Sequence, residues 1–139
     1  MSPARTFSDR DYARLLAVRS RLRRFEHWSA AQAADEGLTA SQHQLMLAVR
    51  GHDDAAGPTI GEVAEYLMVK HNTAVGLVDR TAEAGLLERV RDASDHRIVR
   101  LRLTVVGARR LAALSAAHLE ELSRLTPLFE ALLTDLRAT

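Results

Sequence analysis

The 139-residue sequence predicts a mainly α-helical fold that contains one small β-hairpin. Apolar residues recur at spacings of three and four over most of the chain, which is the period of amphipathic helices. Two capping boxes, each a threonine followed three residues later by Gln or Glu, mark helix starts at Thr39 and Thr59. From Leu87 to Leu103 the apolar period changes to two, which is typical of strands.

Six helices are expected around this hairpin. The first begins at Ser8 and Asp9, and a helix from there to Asp35 is about 40 Å long, more than a core of this size can cover. One of its faces must therefore contact another surface. The second and third helices begin at the capping boxes, a fourth follows a short break near Met68, and Gly85 is expected as its left-handed C-terminal cap.

The last third of the chain holds the predicted hairpin and two further helices. Residues 87–91 and 98–103 alternate between apolar and polar, and a polar tip joins them. Thr104 is predicted to cap a fifth helix. Thr126 and Pro127 are predicted to begin a sixth, because proline is favoured in the first turn of a helix.

Composition and charge exclude several classes of protein. The chain has no cysteine, which excludes disulfides, thiolate metal sites and cysteine nucleophiles. We expect a cytoplasmic protein without a membrane span or secretory signal, because no long apolar run occurs and charges interrupt the first residues. The net charge is only +1, but arginines cluster in residues 1–24 and again in residues 89–102.

Two short capped helices with a tight turn, followed by a hairpin with a basic tip, predict a winged helix-turn-helix. An α-helix fits the major groove of DNA, and the helix before it braces it against the DNA backbone. The hairpin reaches the neighbouring minor groove, whose negative potential favours an inserted arginine. Residues 71–84 are then the recognition helix, and its predicted buried side consists of Ala74, Leu77, Val78 and Thr81.

The other side of this helix supplies the candidate DNA contacts. Asn72 and Thr73 can hydrogen-bond base edges or phosphates, and Val75 can meet a thymine methyl group. Gly76 either permits a close approach of the backbone to DNA or is a tolerated small residue. The alternative is that these residues form an ordinary solvated face. The predicted contacts on the helix are Lys70, His71, Asn72, Thr73, Val75, Gly76 and Arg80.

The ordered motifs resemble the MarR family of bacterial transcription regulators. The similarity runs from Thr59 through the Asn72–Arg80 stretch to Arg89, and continues in residues 92–97 and 101–107. It implies that Arg97 enters the minor groove and that Asp95 orients either Arg97 or the hairpin. Arg91 is a further candidate DNA contact of the hairpin. Two positions depart from the family: Lys70 stands where serine is frequent, and Gly76 where a basic or polar residue is frequent.

The resemblance also implies a homodimer with interlocked terminal helices. We expect an N-terminal dimerisation helix over residues 1–35, a DNA-binding lobe over residues 36–104 and C-terminal dimerisation helices over residues 105–139. The predicted function is a repressor that binds a pseudo-palindromic DNA site as a homodimer. An alternative is a winged helix that binds another protein and has no DNA target.

Proteins that resemble this family often bind small aromatic anions between the dimer helices and the DNA-binding lobe. The predicted pocket for such an effector consists of Phe25, Trp28, His43 and Leu47, with His43 or Arg50 facing the anion. The alternative is that the two aromatic residues belong to the core.

Neither a cofactor nor a catalytic or metal site is expected. The six histidines form no helical pair at metal-binding spacing, although a histidine-based metal-responsive regulator is a further alternative. The sequence contains no phosphate-binding glycine loop, nucleophile elbow or zinc-protease motif, and we predict that it is not an enzyme. His118 interrupts an apolar stripe and is expected in the dimer interface, satisfied by a group of the second subunit.

Overall fold

The computed structural model describes residues 4–138, with side chains described for residues 4–136. In that range the chain forms five helices and a two-stranded antiparallel sheet, which confirms the predicted fold class. The elements, in chain order, are α1 (Asp9–Asp35), α2 (Ala40–Gly51), α3 (Ile60–Leu67), α4 (His71–Glu83), β1 (Leu87–Arg91), β2 (Val99–Leu103) and α5 (Val105–Ala138).

The helix starts follow from local hydrogen bonding. The Thr39 hydroxyl accepts from the Gln42 amide at 3.0 Å, and Gln42 Oε1 accepts from the Thr39 amide, so both halves of the predicted capping box form. Thr59 and Glu62 make the equivalent pair at the start of α3. Each box satisfies amide groups that the first helical turn would leave unbonded, which fixes where each helix begins.

The chain divides into two compact units, of which the larger spans residues 32–115. One core cluster of this unit joins α2, α3, α4 and the hairpin through Leu45, Val63, Val78 and Leu101, all of them fully buried. A second cluster includes Met46, Leu86, Leu111 and Leu114. Val78 and Leu77 of α4, which were predicted from periodicity to be buried, belong to the first of these clusters.

The hairpin is joined to the loop that precedes α3. Its strands pair in register from Leu87 opposite Leu103 to Arg91 opposite Val99. The Leu101 amide donates to the Pro58 carbonyl at 2.8 Å, and a Cβ on Gly57 would stand 2.1 Å from the Leu101 carbonyl oxygen. The loop backbone thus lies directly against β2, and only glycine fits at position 57.

The prediction of a sixth helix at Thr126 is wrong, because α5 continues through Pro127. The Thr126 hydroxyl donates back to the Leu122 carbonyl at 2.8 Å instead of capping a new helix. The burial pattern explains the continuity, since Leu125 and Leu136 are buried and lie three helical turns apart on one side of the helix. No helix within residues 4–138 has the length and apolar character needed to cross a membrane.

The smaller unit consists of residues up to 31 together with those from 116 onward. His118 Nε2 lies 2.6 Å from the Ser29 hydroxyl, and its ring lies 4.8 Å from the Trp28 ring and edge-on to Phe25. His118 therefore has a hydrogen-bond partner in its own chain, where the sequence suggested one from a second subunit. Arg14 and Asp135 add an ion pair of 3.0 Å between α1 and α5.

Candidate nucleic-acid interface

The helix α4 is amphipathic in the way the sequence predicted. Ala74, Leu77, Val78 and Thr81 are buried, and the Thr81 hydroxyl donates to the Leu77 carbonyl at 2.8 Å. Burial of this side holds α4 against the core of the larger unit and leaves its other side toward solvent. Of the predicted contacts, Val75 and Gly76 are half-buried, and the exposed ones are Lys70, His71, Asn72, Thr73 and Arg80.

The turn before α4 is fixed by a residue in the left-handed region. Met68 has φ 57° and ψ 43°, and its amide bonds back to the end of α3. The chain then enters α4 at Lys70, whose side chain makes no capping hydrogen bond. The departure from the family's serine therefore leaves the cap unmade, so the amides of the first turn of α4 remain available to an external acceptor such as a phosphate oxygen.

Gly76 lies one helical turn before a basic side chain of α4. A Cβ at this position would lie 3.4 Å from Nη1 of Arg80, which is ordinary van der Waals contact with the end of a flexible side chain. No contact within the chain therefore requires glycine here, and the two explanations that the sequence left open for Gly76 both remain.

An ion pair ties the recognition helix to the hairpin. Arg89 on β1 donates from Nη2 to Asp79 on α4. Both side chains are partly exposed, so the pair adds little stability, but it neutralises Asp79, one of the two exposed acidic residues of α4. No spacing rule indicated this pair, because ten residues separate its members.

The hairpin tip holds Arg97 in a fixed direction. Its Nε and Nη2 donate to the two carboxylate oxygens of Asp95, each at 3.0 Å, while the Arg97 side chain is 91% exposed. Asp95 also accepts from the Arg97 amide. Planar two-point pairing restricts the rotation of a guanidinium, so the tip presents a positive group that is oriented and accessible. Arg91 is occupied in part, since it donates to the His96 carbonyl at 2.8 Å.

Arg100, unlike Arg97, is largely buried and bonds to groups of the protein itself. It donates from Nε to Asp92 at 2.7 Å and from Nη1 to the Gly57 carbonyl at 2.9 Å, and its side chain is only 18% exposed. It therefore joins the base of the tip to the loop before α3. The basic character that the hairpin offers to a partner comes from Arg91, Arg97 and Arg102, without Arg100.

These ion pairs fix the charge state of the tip carboxylates. The hydrogen bond from Arg100 lowers the pKa of Asp92, and the hydrogen bond from Arg97 lowers the pKa of Asp95. A lowered pKa in the folded state means that each contribution to stability is complete above the ordinary aspartate range and is lost as the pH falls through the lowered pKa. Both carboxylates are therefore charged at neutral pH.

We expect an NMR titration to show this directly. The carboxyl carbon of Asp92 should titrate below the ordinary aspartate range in the native chain and move back toward that range in Arg100→Gln, because the main cause of the shift is removed. Asp95, whose carboxylate keeps both hydrogen bonds from Arg97 in this variant, is the internal reference. An Asp92 midpoint that Arg100→Gln leaves unchanged would contradict the assignment.

The predicted effector pocket draws its residues from both units. Phe25 and Trp28 contact each other and His118 in the smaller unit. His43 and Leu47 belong to α2 in the larger unit, where His43 is buried and Leu47 is 53% exposed. The two aromatic residues thus lie together, as predicted, but the pocket itself stays a prediction.

A polar cluster at the end of α2 was missed by the sequence reasoning. His52 lies between two residues of α3, with Nε2 at 3.3 Å from Glu62 and Nδ1 at 3.3 Å from the Tyr66 hydroxyl. The capping box named Glu62, but nothing in the spacing indicated a histidine partner from the preceding loop. Among the described residues, no group of three or more His, Asp or Glu side chains is arranged to hold a metal ion.

Comparisons with known proteins agree with this geometry. Residues 36–98 match the sequence profile of the MarR family, which confirms the predicted resemblance. A search of curated proteins gives no match.

Solved structures with the same fold include a MarR family protein from Bacillus stearothermophilus, which is 22% identical with a TM-score of 0.74 over 96% of this chain and 97% of that one. Apo MarR from E. coli is 20% identical with a TM-score of 0.68, over 95% and 98% of the two chains. A complex of S. aureus MepR with DNA is 18% identical with a TM-score of 0.66, over 96% and 98%. At these identities the likeness shows the fold.

Proposed function

We propose that the chain is a homodimer that binds a pseudo-palindromic DNA site and represses transcription there, because residues 36–98 match the profile of the MarR family of transcription regulators. The observation that carries this proposal is the pairing, within one compact unit, of an exposed polar recognition helix with an oriented arginine at the hairpin tip. The family consists of regulators, and we assign the chain no enzymatic activity.

The recognition helix α4 is proposed to enter the major groove. Its N-terminal residues Asn72 and Thr73 are exposed and carry the donors and acceptors that read base edges. Lys70 and His71 precede them and suit phosphate oxygens, and the uncapped first turn of α4 offers its amides to the same groups. Arg80 lies about two helical turns beyond Thr73 and is proposed to contact the DNA backbone.

The hairpin is proposed to place Arg97 in the adjacent minor groove. Asp95 holds the guanidinium by two hydrogen bonds and leaves Nη1 free of that pair. A narrow, A/T-rich minor groove has enhanced negative potential and favours such a cation. Arg91 and Arg102 are exposed nearby on the strands and would contact the flanking phosphates.

Arg97→Ala should weaken DNA binding by about 1–3 kcal/mol, which is roughly a 5- to 150-fold rise in Kd. The loss should be greater for sites with A/T-rich flanks, because their minor groove is narrower. Fluorescence anisotropy on matched A/T-rich and G/C-rich duplexes at one salt concentration measures both effects. Arg109→Ala, which removes an exposed arginine of α5, is the control and should change little. Equal losses on both duplexes would make Arg97 a simple phosphate contact.

Dimerisation is proposed because apolar side chains on the outer sides of α1 and α5 remain exposed in the single chain. Leu16 is 63% exposed and Leu119 is 68% exposed. Tyr12, Leu15 and Leu16 recur at helical spacing on one face of α1, and an exposed apolar face marks an interaction site in soluble proteins. The apolar residues concerned are Tyr12, Leu15, Leu16 and Leu22 on α1 and Leu119, Leu122, Leu128 and Leu133 on α5.

Selection of binding sites from a random pool of duplex DNA, at a stated salt concentration, tests the proposed function. A two-fold dimer should select two inverted half-sites whose centres lie about 10 base pairs apart, one helical turn. In a parallel selection Asn72→Ala should relax the preference at one base position of each half-site. An unenriched pool would favour a winged helix that binds protein, and an unchanged preference for Asn72→Ala would remove this residue from base reading.

Release by a small aromatic anion at Phe25, Trp28, His43 and Leu47 is a further part of the proposal. The contact between Phe25 and Trp28 supports it, because two adjacent rings offer an aromatic surface to such a ligand. A ligand beside either ring would also alter the fluorescence of the single tryptophan. Titration with an aromatic carboxylate should change this emission. An unresponsive signal at millimolar ligand would count against the pocket.

A further inference from the structure

The hairpin tip carries the arginine proposed for the minor groove, but the strands beneath it cannot fix its position alone. β1 and β2 have five residues each, and an isolated two-stranded hairpin is only marginally stable in water. The tip over residues 92–98 joins the outer ends of the two strands. Its direction relative to α4 therefore depends on contacts that connect the hairpin to the rest of the larger unit.

Asp92 organises the backbone of this tip. Its Oδ2 accepts from the amides of Ser94 and Asp95, at 3.0 and 2.9 Å, and its own amide donates to the Ile98 carbonyl at 2.9 Å. Asp95, whose amide is one of these donors, in turn holds the Arg97 guanidinium by two hydrogen bonds. The position of the Arg97 side chain thus follows from that of the Asp92 carboxylate.

Arg100 connects Asp92 to the loop before α3. Its Nε donates to Oδ1 of Asp92 at 2.7 Å, and its Nη1 donates to the Gly57 carbonyl at 2.9 Å. Both side chains of the ion pair are largely shielded from solvent, since Arg100 is 18% exposed and Asp92 is 14% exposed. Charge-assisted hydrogen bonds are stronger where water is excluded, so this bridge resists bending of the tip.

The loop at the other end of the bridge is itself held in place. Gly57 lies so close to β2 that no Cβ fits there, and the Pro58 carbonyl accepts from the Leu101 amide at 2.8 Å. Thr59 follows directly and caps α3, the first helix of the helix-turn-helix. A continuous series of bonds therefore connects the loop that begins α3, through Arg100, to the arginine at the tip.

We propose that Asp92 and Arg100 are positioning residues for DNA binding, a role that rests on the proposed function. They hold the hairpin tip at a fixed place relative to the helix-turn-helix, so that Arg97 meets the minor groove when α4 occupies the major groove. Neither residue has to contact DNA in this role. Without the bridge, Arg97 keeps its bonds to Asp95 but moves with a loosened tip, and binding then requires the tip to be immobilised at a cost in entropy.

A double-mutant cycle with Arg97 separates positioning from a general structural effect. Fluorescence anisotropy measures the Kd of the full chain for the duplex that the selection enriches, at one salt concentration. Arg100→Gln should weaken binding about tenfold in the native chain but less than about twofold in Arg97→Ala, because a residue that acts through Arg97 has no effect once Arg97 is absent. Asp92→Asn should show the same dependence. Equal losses in the two backgrounds would overturn the inference.

Two further variants distinguish the bridge from a direct contact with DNA. Arg100→Lys keeps the positive charge, but an ammonium group does not reproduce the planar fork that reaches Asp92 and Gly57 together, so it should weaken binding nearly as much as Arg100→Gln. Full affinity in Arg100→Lys would indicate a phosphate contact and overturn the inference. Arg102→Gln removes a neighbouring exposed arginine of β2, and its effect should be the same with and without Arg97. The same coupling to Arg97 in Arg102→Gln would contradict a special role of the bridge.

The mobility of the tip in the absence of DNA gives an independent readout. The heteronuclear Overhauser effects of the Ser94 and Asp95 amides should fall in Arg100→Gln to values typical of a flexible loop and stay at native values in Arg102→Gln, with the buried Leu45 as reference. Unchanged values in Arg100→Gln, in a native chain that binds DNA, would overturn this inference alone. A native chain that binds no duplex would instead overturn the proposed function, and with it the role of the bridge in DNA binding.

Discussion

Leu16→Glu should convert the proposed dimer to a monomer at micromolar concentration. Leu16 is 63% exposed in the single chain and lies on α1 among the other exposed apolar residues. In a two-fold interface each substitution is made twice, so two carboxylates would be buried without partners. Such burial costs several kcal/mol, and we expect a loss of about 3 kcal/mol or more, a rise in the dimer Kd of at least about a hundredfold.

Sedimentation velocity over a range of concentrations measures this effect. Val105→Glu is the matched control, because Val105 is similarly exposed, at 69%, but begins α5 in the unit that carries the hairpin. Circular dichroism should show that both variants keep their helices. A dimer of unchanged affinity in Leu16→Glu would show that α1 contributes no contact at this position.

Gly57→Ala should be the most destabilising small substitution in the DNA-binding lobe. Gly57 has φ +92°, and a Cβ there would stand 2.1 Å from the backbone oxygen of Leu101. The loop would have to leave β2, which breaks the hydrogen bond from Leu101 to Pro58 and displaces the carbonyl that accepts from Arg100. We expect a loss of about 3–4 kcal/mol in the free energy of unfolding.

Gly37→Ala separates the clash from the backbone strain. Gly37 also has a left-handed φ, +75°, but no atom lies within 4 Å of its added Cβ. Its substitution should cost only the conformational strain, about 1–2 kcal/mol. Urea denaturation of both variants at one protein concentration gives the comparison. Equal losses would mean that the contact between Gly57 and β2 contributes nothing.

The helices and the hairpin could be predicted from the sequence because their causes are local. The Thr39 and Thr59 boxes act over three residues, and the buried side of α4 follows from a repeat of three and four. The pairing of Asp95 with Arg97 is also local, although the sequence indicated a role for Asp95 only through the resemblance to a known family. Short-range hydrogen bonds and periodicity are properties of the sequence itself, so no tertiary contact had to be known.

The rest depended on contacts between distant residues. Arg100 reaches Gly57 across 43 positions, and no spacing rule connects them. No spacing rule indicates either that position 57 must be glycine, because this requirement arises from the nearby backbone of β2. The prediction at Pro127 was wrong because it relied on a local preference alone. Proline favours the first turn of a helix, but the buried residues Leu125 and Leu136 lie on one side of a single continuous helix before and after Pro127.

The central claim is that two chains present two recognition helices and two hairpins to one duplex. The most direct measurement titrates the protein onto two labelled duplexes that carry the same inverted half-sites, with centres 10 or 15 base pairs apart. We expect two chains per duplex and at least about tenfold tighter binding at 10 base pairs, because five more turn the second half-site to the opposite side of the DNA. Equal affinity for both duplexes, or a complex with a single chain, would contradict the claim.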